Sequence, residues 1–224
     1  MAVILNLETA TTNCSVSIAI NGSTIALKEE NTPNYSHSEQ LHLFIQKAVA
    51  EAGITMESLD AIAVSKGPGS YTGLRIGVSA AKGLCFALEK PLISVPTLQS
   101  MALQIQAANN ELIIPVLDAR RMEVYSCVFG SNHKEIQETK AEVVTTTSFA
   151  DWDNYDRIHL VGSGAGKCKA LLTDERFVFW EKVVPSAKEM ATLSFGKYQQ
   201  QEFEDVAYFE PFYLKDFVMQ RKKA

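Results

Sequence analysis

The chain opens on an apolar run at residues 3–7, interrupted only by Asn6, as expected of a strand buried on both faces. Positions 14–20 then alternate. Cys14, Val16, Ile18 and Ile20 fall on one side and Ser15, Ser17 and Ala19 on the other, which predicts a second strand. Asn21-Gly22 tolerates positive φ at both positions and predicts a hairpin into a third strand at 24–29. Here the period lengthens. Ser36-x-x-Glu39 reads as a capping box, and Leu41, Phe44, Ile45, Ala48, Val49 and Ala52 share one helical face until Gly53 ends it. A short strand at 60–65, a helix at 72–88, a strand at 92–95 and a helix opened by Pro96-Thr97 follow.

The second half repeats this plan. Strands are expected at 112–117, 123–129 and 135–139, residues 143–152 carry no readable period, and a strand is expected at 158–161. A glycine-rich loop at 162–166, a short helix, a strand at 177–180 and a helix at 186–199 complete it. Alternating strand–helix units need parallel pairing, so each half is an α/β module with a mixed sheet flanked by helices. The order suggests a tandem duplication. Its boundary is expected at 108–111, where AANNE interrupts the pattern, dividing the chain into lobes 1–108 and 109–224.

Charge narrows the range of functions. The 224 residues carry a formal net charge of −5, whereas a protein that grips nucleic acid unaided presents a basic face to the phosphates. The one basic cluster, Arg221-Lys222-Lys223, reads as a solvated tail. The four cysteines lie far apart with no C-x-x-C pair, and Cys14 and Cys85 sit inside apolar patterns as small hydrophobes. The N-terminus lacks a signal peptide's basic region and no apolar run approaches a membrane span, so a cytoplasmic protein is expected.

The most unusual stretch is SKGPGSYTGLRIGVSAAKGLC at residues 65–85. It fails the phosphate-loop tests. No lysine stands where a Walker loop needs one, Gly73 comes one residue late for a dinucleotide fingerprint, and Pro68 removes a backbone donor. A strand-to-helix turn is the favoured reading. A phosphate contact at the helix start stays open, with Gly69, Ser70 and Arg75 as candidates, because no acidic residue occupies the first turn. The helix itself says more. Arg75, Ser79 and Lys82 form one polar stripe and the rest is apolar or glycine, an arc wider than one sheet contact requires. Leu74, Val78, Ala81, Cys85 and Leu88 suffice to cover the sheet. Gly77, Ala80, Leu84 and Ala87 then make a small-residue face, for a neighbouring helix of the same lobe or, preferably, for a partner.

No catalytic or metal constellation is legible. His37 and His42 are five apart, about 140° around a helix, and His133 and His159 have no ligand set nearby. Glu8, followed by Thr9-Ala10-Thr11-Thr12, reads equally as a carboxylate facing a hydrated metal and phosphates or as a plain turn. Asp118-Ala119-Arg120-Arg121 occupies the matching place in the second half and reads as a local ion-pair corner.

Six segments together carry a resemblance: LETATTNCSVSI from Leu7, HSEQL from His37, SKGPGSYTGLRIGVSAAKGL from Ser65, VPTL from Val95, DARRMEVY from Asp118 and EPFYLK from Glu210. In order and across nearly the whole chain they resemble the TsaB family, once grouped with glycoprotease-like proteins. The resemblance implies two RNase H-like lobes of the actin-like ATPase (ASKHA) fold and a part in forming threonylcarbamoyladenosine in tRNA. It further implies a scaffold that stabilises the catalytic subunit TsaD, with the ATPase TsaE joining the complex and tRNA met only through it. The family's pairing surface, which also serves self-pairing as a homodimer, corresponds to the helices at 37–52 and 72–88. Leu41, Ile45, Ile76, Gly77, Ala80, Leu84 and Ala87 are its expected contacts. Active members of the superfamily carry D-x-G-[TS] where this chain has Glu8 and Ala10, and the sister's H-x-x-x-H metal pair is missing. The expectation is a non-catalytic subunit with no metal and no nucleotide held firmly alone, ATP or ADP being confined to a complex interface. The alternative is a small-molecule kinase or ATPase of the same fold.

Overall fold

The computed structural model describes residues 1–32 and 37–215. The capping residue Ser36 and the basic cluster Arg221-Lys222-Lys223 lie outside the described residues. The elements run β1 (Val3–Glu8), β2 (Asn13–Ile20), β3 (Ser23–Asn31), α1 (His37–Glu51), β4 (Ala61–Gly67), α2 (Tyr71–Leu88), β5 (Leu92–Pro96) and α3 (Thr97–Ala102). The second half runs β6 (Glu111–Asp118), β7 (Glu123–Gly130), β8 (Glu135–Val143), β9 (Arg157–Val161), α4 (Ala165–Lys169), β10 (Phe177–Trp180) and α5 (Ala187–Gln200).

Two five-stranded sheets result, ordered β3-β2-β1-β4-β5 and β10-β9-β6-β7-β8. In each, three consecutive strands pair antiparallel and the last two join in parallel. This is the RNase H-like lobe used twice, the plan of the actin-like ATPase fold. One expected strand is longer than its pattern suggests. β8 continues past 139 to Val143, with the charged Glu138, Lys140 and Glu142 on one face. It is an edge strand, where charges on the open side are tolerated and block further pairing.

The first sheet is covered on both faces. Leu5, Leu7, Val16, Ile18, Ile62 and Val64 pack against α1 and α2. The other face, with Ile4, Ala63, Ile93 and Val95, packs against Ala187 and Met190 of α5. A helix from the second half thus completes the first lobe. In exchange, Leu98 and Met101 of α3 pack against Ile113, Phe129 and Val161 of the second sheet. The first sheet ends with β5 at Pro96 and the second begins with β6 at Glu111, while α3 and α5 each pack on the sheet of the other half.

The crossing explains the serine side of β2. Ser15 and Ser17 are buried under α5, where the Ser17 hydroxyl donates to the Ala187 carbonyl at 2.7 Å and Ser15 Oγ accepts from the Ala187 amide at 3.0 Å. Asn6, set in an otherwise apolar run, accepts from the Ser194 hydroxyl at 2.6 Å. Such a buried polar seam specifies one seating of α5, since a shifted helix leaves these groups unpaired.

The helix α2 lies against the first turn of the chain. An added Cβ at Gly73 falls 2.1 Å from the Thr9 carbonyl oxygen, and one at Gly77 falls 2.2 Å from Thr9 Oγ1. Around Gly83 nothing lies within 4 Å. We expect Gly77→Ala to cost roughly 1–3 kcal/mol through overpacking. Gly83→Ala should stabilise by up to about 1 kcal/mol through helix propensity. Chemical denaturation of the two variants checks the pair, and equal signs would contradict the packing described.

Candidate functional site

The first candidate is the turn at residues 9–12, which the sequence placed beside Glu8. The glycine loop and α2 close over it. The Thr9 hydroxyl donates to the Gly73 carbonyl at 2.8 Å, the Ser70 amide donates to the Ala10 carbonyl at 2.6 Å, and the Gly73 amide donates to Ser70 Oγ at 3.3 Å. Thr9's own amide donates to Ser65 Oγ at 3.4 Å. Gly69 stands where it does because an added Cβ would lie 2.4 Å from the Ala10 carbonyl oxygen. His37 seals the outer edge through Nε2, which donates to the Thr11 carbonyl at 2.7 Å, and burial lowers its pKa and holds the imidazole neutral.

Glu8 lies inside this closure, 0% exposed. One carboxylate oxygen accepts from the Ala10 amide at 2.6 Å, while the other is buried without a hydrogen-bond partner. Burial pushes its pKa from 4.5 up to about 7, against the opposing pull of the Ala10 amide and the Ser65 hydroxyl. The residues do not fit a magnesium-bound nucleotide phosphate. The amides of Thr9, Ala10, Ser70 and Gly73 are engaged internally, and the carboxylate is sealed and biased towards its neutral form. Ser70, expected as a phosphate contact, instead caps α2. Gly69 packs on Ala10, and Arg75 is elsewhere.

Arg75 lines the second candidate, an open groove of about 670 Å³ between α1 and α2. Ser38 and His42 form one wall, with Tyr71, Ile76, Ala80 and Leu84 opposite. Arg75 Nη1 donates to the Tyr71 hydroxyl at 3.0 Å and its guanidinium lies 5.2 Å over the Tyr71 ring, so its charge is held along the rim. Ile76, Ala80 and Leu84 are half-buried against the lobe core, and Ala87 is exposed. Three expected contacts need correction. Leu41 and Ile45 are core residues facing the sheet, and Gly77 is filled by Thr9; none of the three reaches the surface. The helical stripe that a sequence shows most clearly is the one its own sheet consumes.

The sequence reading missed Phe86, which is 85% exposed on α2. The signal was present: Phe86 follows Ser79 and Lys82 at seven and four residues, so a large apolar ring sits on the polar stripe. The remaining polar groups are structural. Asp118 accepts from Lys167 of α4 at 2.6 Å, so its ion pair is made across the fold rather than in the local corner expected at 118–121. His133 Nε2 donates to the Ile105 carbonyl at 3.0 Å, and His159 lies between Glu111 and the Trp180 indole N–H. All four cysteines are buried and free. Among the described residues no group of three or more histidine, cysteine, aspartate or glutamate side chains is placed to hold a metal.

Comparison with known proteins gives the family. The model of the family described as "TsaD: tRNA N6-adenosine threonylcarbamoyltransferase" matches residues 32–208. The chain belongs to this family, on its TsaB side. A protein of Escherichia coli named "tRNA threonylcarbamoyladenosine biosynthesis protein TsaB" is 27% identical over 98% of this chain and 97% of its own length. Its Haemophilus influenzae namesake is 26% identical over 98% and 96%. Among solved structures, YeaZ from Pseudomonas aeruginosa superposes with a TM-score of 0.81 at 26% identity, covering 96% of this chain and all of that one.

The buried carboxyl of Glu8 gives a pH signature. Its folded pKa is raised, so its contribution to stability is full below about 4.5 and is lost as pH rises towards about 7. The shift corresponds to roughly 3 kcal/mol. Glu8→Gln, which mimics the neutral acid, should melt close to the parent at pH 4.5 and several degrees above it at pH 8. Thermal melts across that range check this; a gap independent of pH would place the titrating carboxyl elsewhere.

Proposed function

We propose that the chain is a subunit of the complex that forms threonylcarbamoyladenosine in tRNA, docking on the transferase TsaD through α1 and α2 as a scaffold without an active site of its own. The observation that carries the reading is the outer face of α2. Ile76, Ala80, Leu84, Ala87 and Phe86 present apolar surface beside an open groove, on a helix whose other side is already committed to the sheet. An isolated lobe gains nothing from leaving a phenylalanine ring in water; a partner surface does. The names of the family model and of the relatives supply the partner.

The sealed turn supports the non-catalytic part of the reading. A superfamily member that turns over ATP needs its first-strand acid and turn amides free for metal and phosphate. Here both are engaged internally, so ATP or ADP is met only at an interface formed with the partners. TsaE joins that assembly, and tRNA reaches it through the complex rather than through this acidic chain. In isolation the same two helices pair one copy of the chain with another. No helix among the described residues is long and apolar enough to cross a membrane.

Replacing Ala80 and Leu84 by glutamate should weaken binding to TsaD at least about tenfold, by roughly 1.4 kcal/mol or more. Both side chains are half-buried against the lobe core, so the variant should melt a few degrees lower yet stay folded at the temperature of the titration. Calorimetric titration against TsaD measures the loss, and undiminished assembly with full modification activity refutes the interface. Tight magnesium–ATP binding by the isolated chain, with turnover abolished by Glu8→Ala, would establish the kinase or ATPase alternative instead.

A further inference from the structure

We propose that residues 201–215 form a strap that makes a third link between the lobes and sets the angle between them. The other two links are the crossings themselves, from β5 into α3 and from β10 into α5. Each enters a helix packed on the lobe it reaches, so each is a pivot. Two pivots leave a rotation about the line joining them; a third tie removes it.

The strap is anchored along its length. The Glu204 amide donates to the Leu92 carbonyl at 2.8 Å, and the Glu204 carboxylate accepts from the Ser94 hydroxyl at 2.5 Å, laying the chain along the edge of β5. Lys82 of α2 then donates to the carbonyls of Ala207 and Phe209 at 3.0 and 3.1 Å. The polar stripe of α2 is therefore in part a grip on the chain's own C-terminal segment. Next, the Phe212 amide donates to the Lys66 carbonyl at 2.7 Å, and the Tyr213 ring packs 5.0 Å from that of Tyr71. All these contacts are to the first lobe. The last is to the second: Lys215 pairs with the Glu123 carboxylate and lies 5.9 Å over the Tyr125 ring, both on β7.

The anchoring is uneven, and the unevenness makes a latch. The first-lobe contacts are several: two backbone hydrogen bonds, the Ser94–Glu204 bond, two bonds from Lys82 and one ring contact. The second-lobe contact is one partly exposed ion pair and one cation–π contact, both of a size that thermal motion undoes. Lobe opening therefore begins at Lys215. The latch also shares residues with the α1/α2 groove, since Tyr71 carries Tyr213 on one side and is bound to Arg75 at the groove rim on the other. Whatever occupies the groove and turns Arg75 or Tyr71 acts on the strap, and through it on the lobe angle. This inference goes beyond the docking reading and does not depend on which protein docks.

Spin labels at Gln46→Cys on α1 and Lys169→Cys on α4 report the lobe separation, the native cysteines being buried. Pulsed dipolar spectroscopy should give one narrow distance in the labelled full chain. Lys215→Met and Glu123→Gln should each broaden and lengthen it, and the double variant should go no further than either alone, because both remove the same tie. Each substitution sits on the surface and should leave the melting temperature within a few degrees, so either one serves if the other fails to fold. A distribution unchanged by either variant, or effects that add, overturns the strap.

Discussion

Everything at the front of this molecule depends on how closely α2 approaches the first turn. The Thr9 carbonyl and hydroxyl occupy the space where side chains at Gly73 and Gly77 would stand, and the Ala10 carbonyl does the same at Gly69. That contact has two consequences of opposite kind. Inward, it closes the turn, engages the backbone donors and buries Glu8 until its carboxyl favours the neutral form. Outward, it settles the rotation of α2, so that Ala80, Leu84 and Phe86 face solvent and the groove. A sealed turn and an exposed apolar face on α2 thus follow from one packing arrangement.

The two lobes are bound together by exchange rather than by a simple interface. α5 gives the first sheet its second cover, α3 gives the second sheet part of its core, and the C-terminal segment returns along β5 and α2. A chain built this way does not separate cleanly into halves, although its sheets do. The polar seam of Asn6, Ser15, Ser17 and Ser194 belongs to the exchange: it is satisfied only when α5 is seated, and its register is set by hydrogen bonds that hydrophobic burial alone would not specify.

Most of the architecture was legible in the sequence. The change of period from two to 3.6, the Asn21-Gly22 turn and the repetition of the plan after residue 108 led to the right elements in the right order. Local periodicity reports which face of an element is apolar, and for the ten strands and five helices among the described residues that is nearly enough to order them. The strand that outran its pattern, β8, lies at a sheet edge, where burial imposes no alternation. The candidate site was less legible. Periodicity marked Leu41 and Ile45 as an apolar face but could not say that the sheet would take that face, nor that Gly77 would be filled from residue 9.

The sequence by itself determined the fold class, the tandem lobes and the surplus apolar surface on α2. These are properties of local pattern and composition, and they survive without knowledge of what touches what. Tertiary structure alone decided that Glu8 is sealed with its pKa raised to about 7, that α3 and α5 change lobes, and that residues 201–215 reach Glu123. Each of these rests on contacts between segments tens to well over a hundred residues apart. Such contacts depend on burial and close approach in three dimensions, for which a one-dimensional pattern has no term.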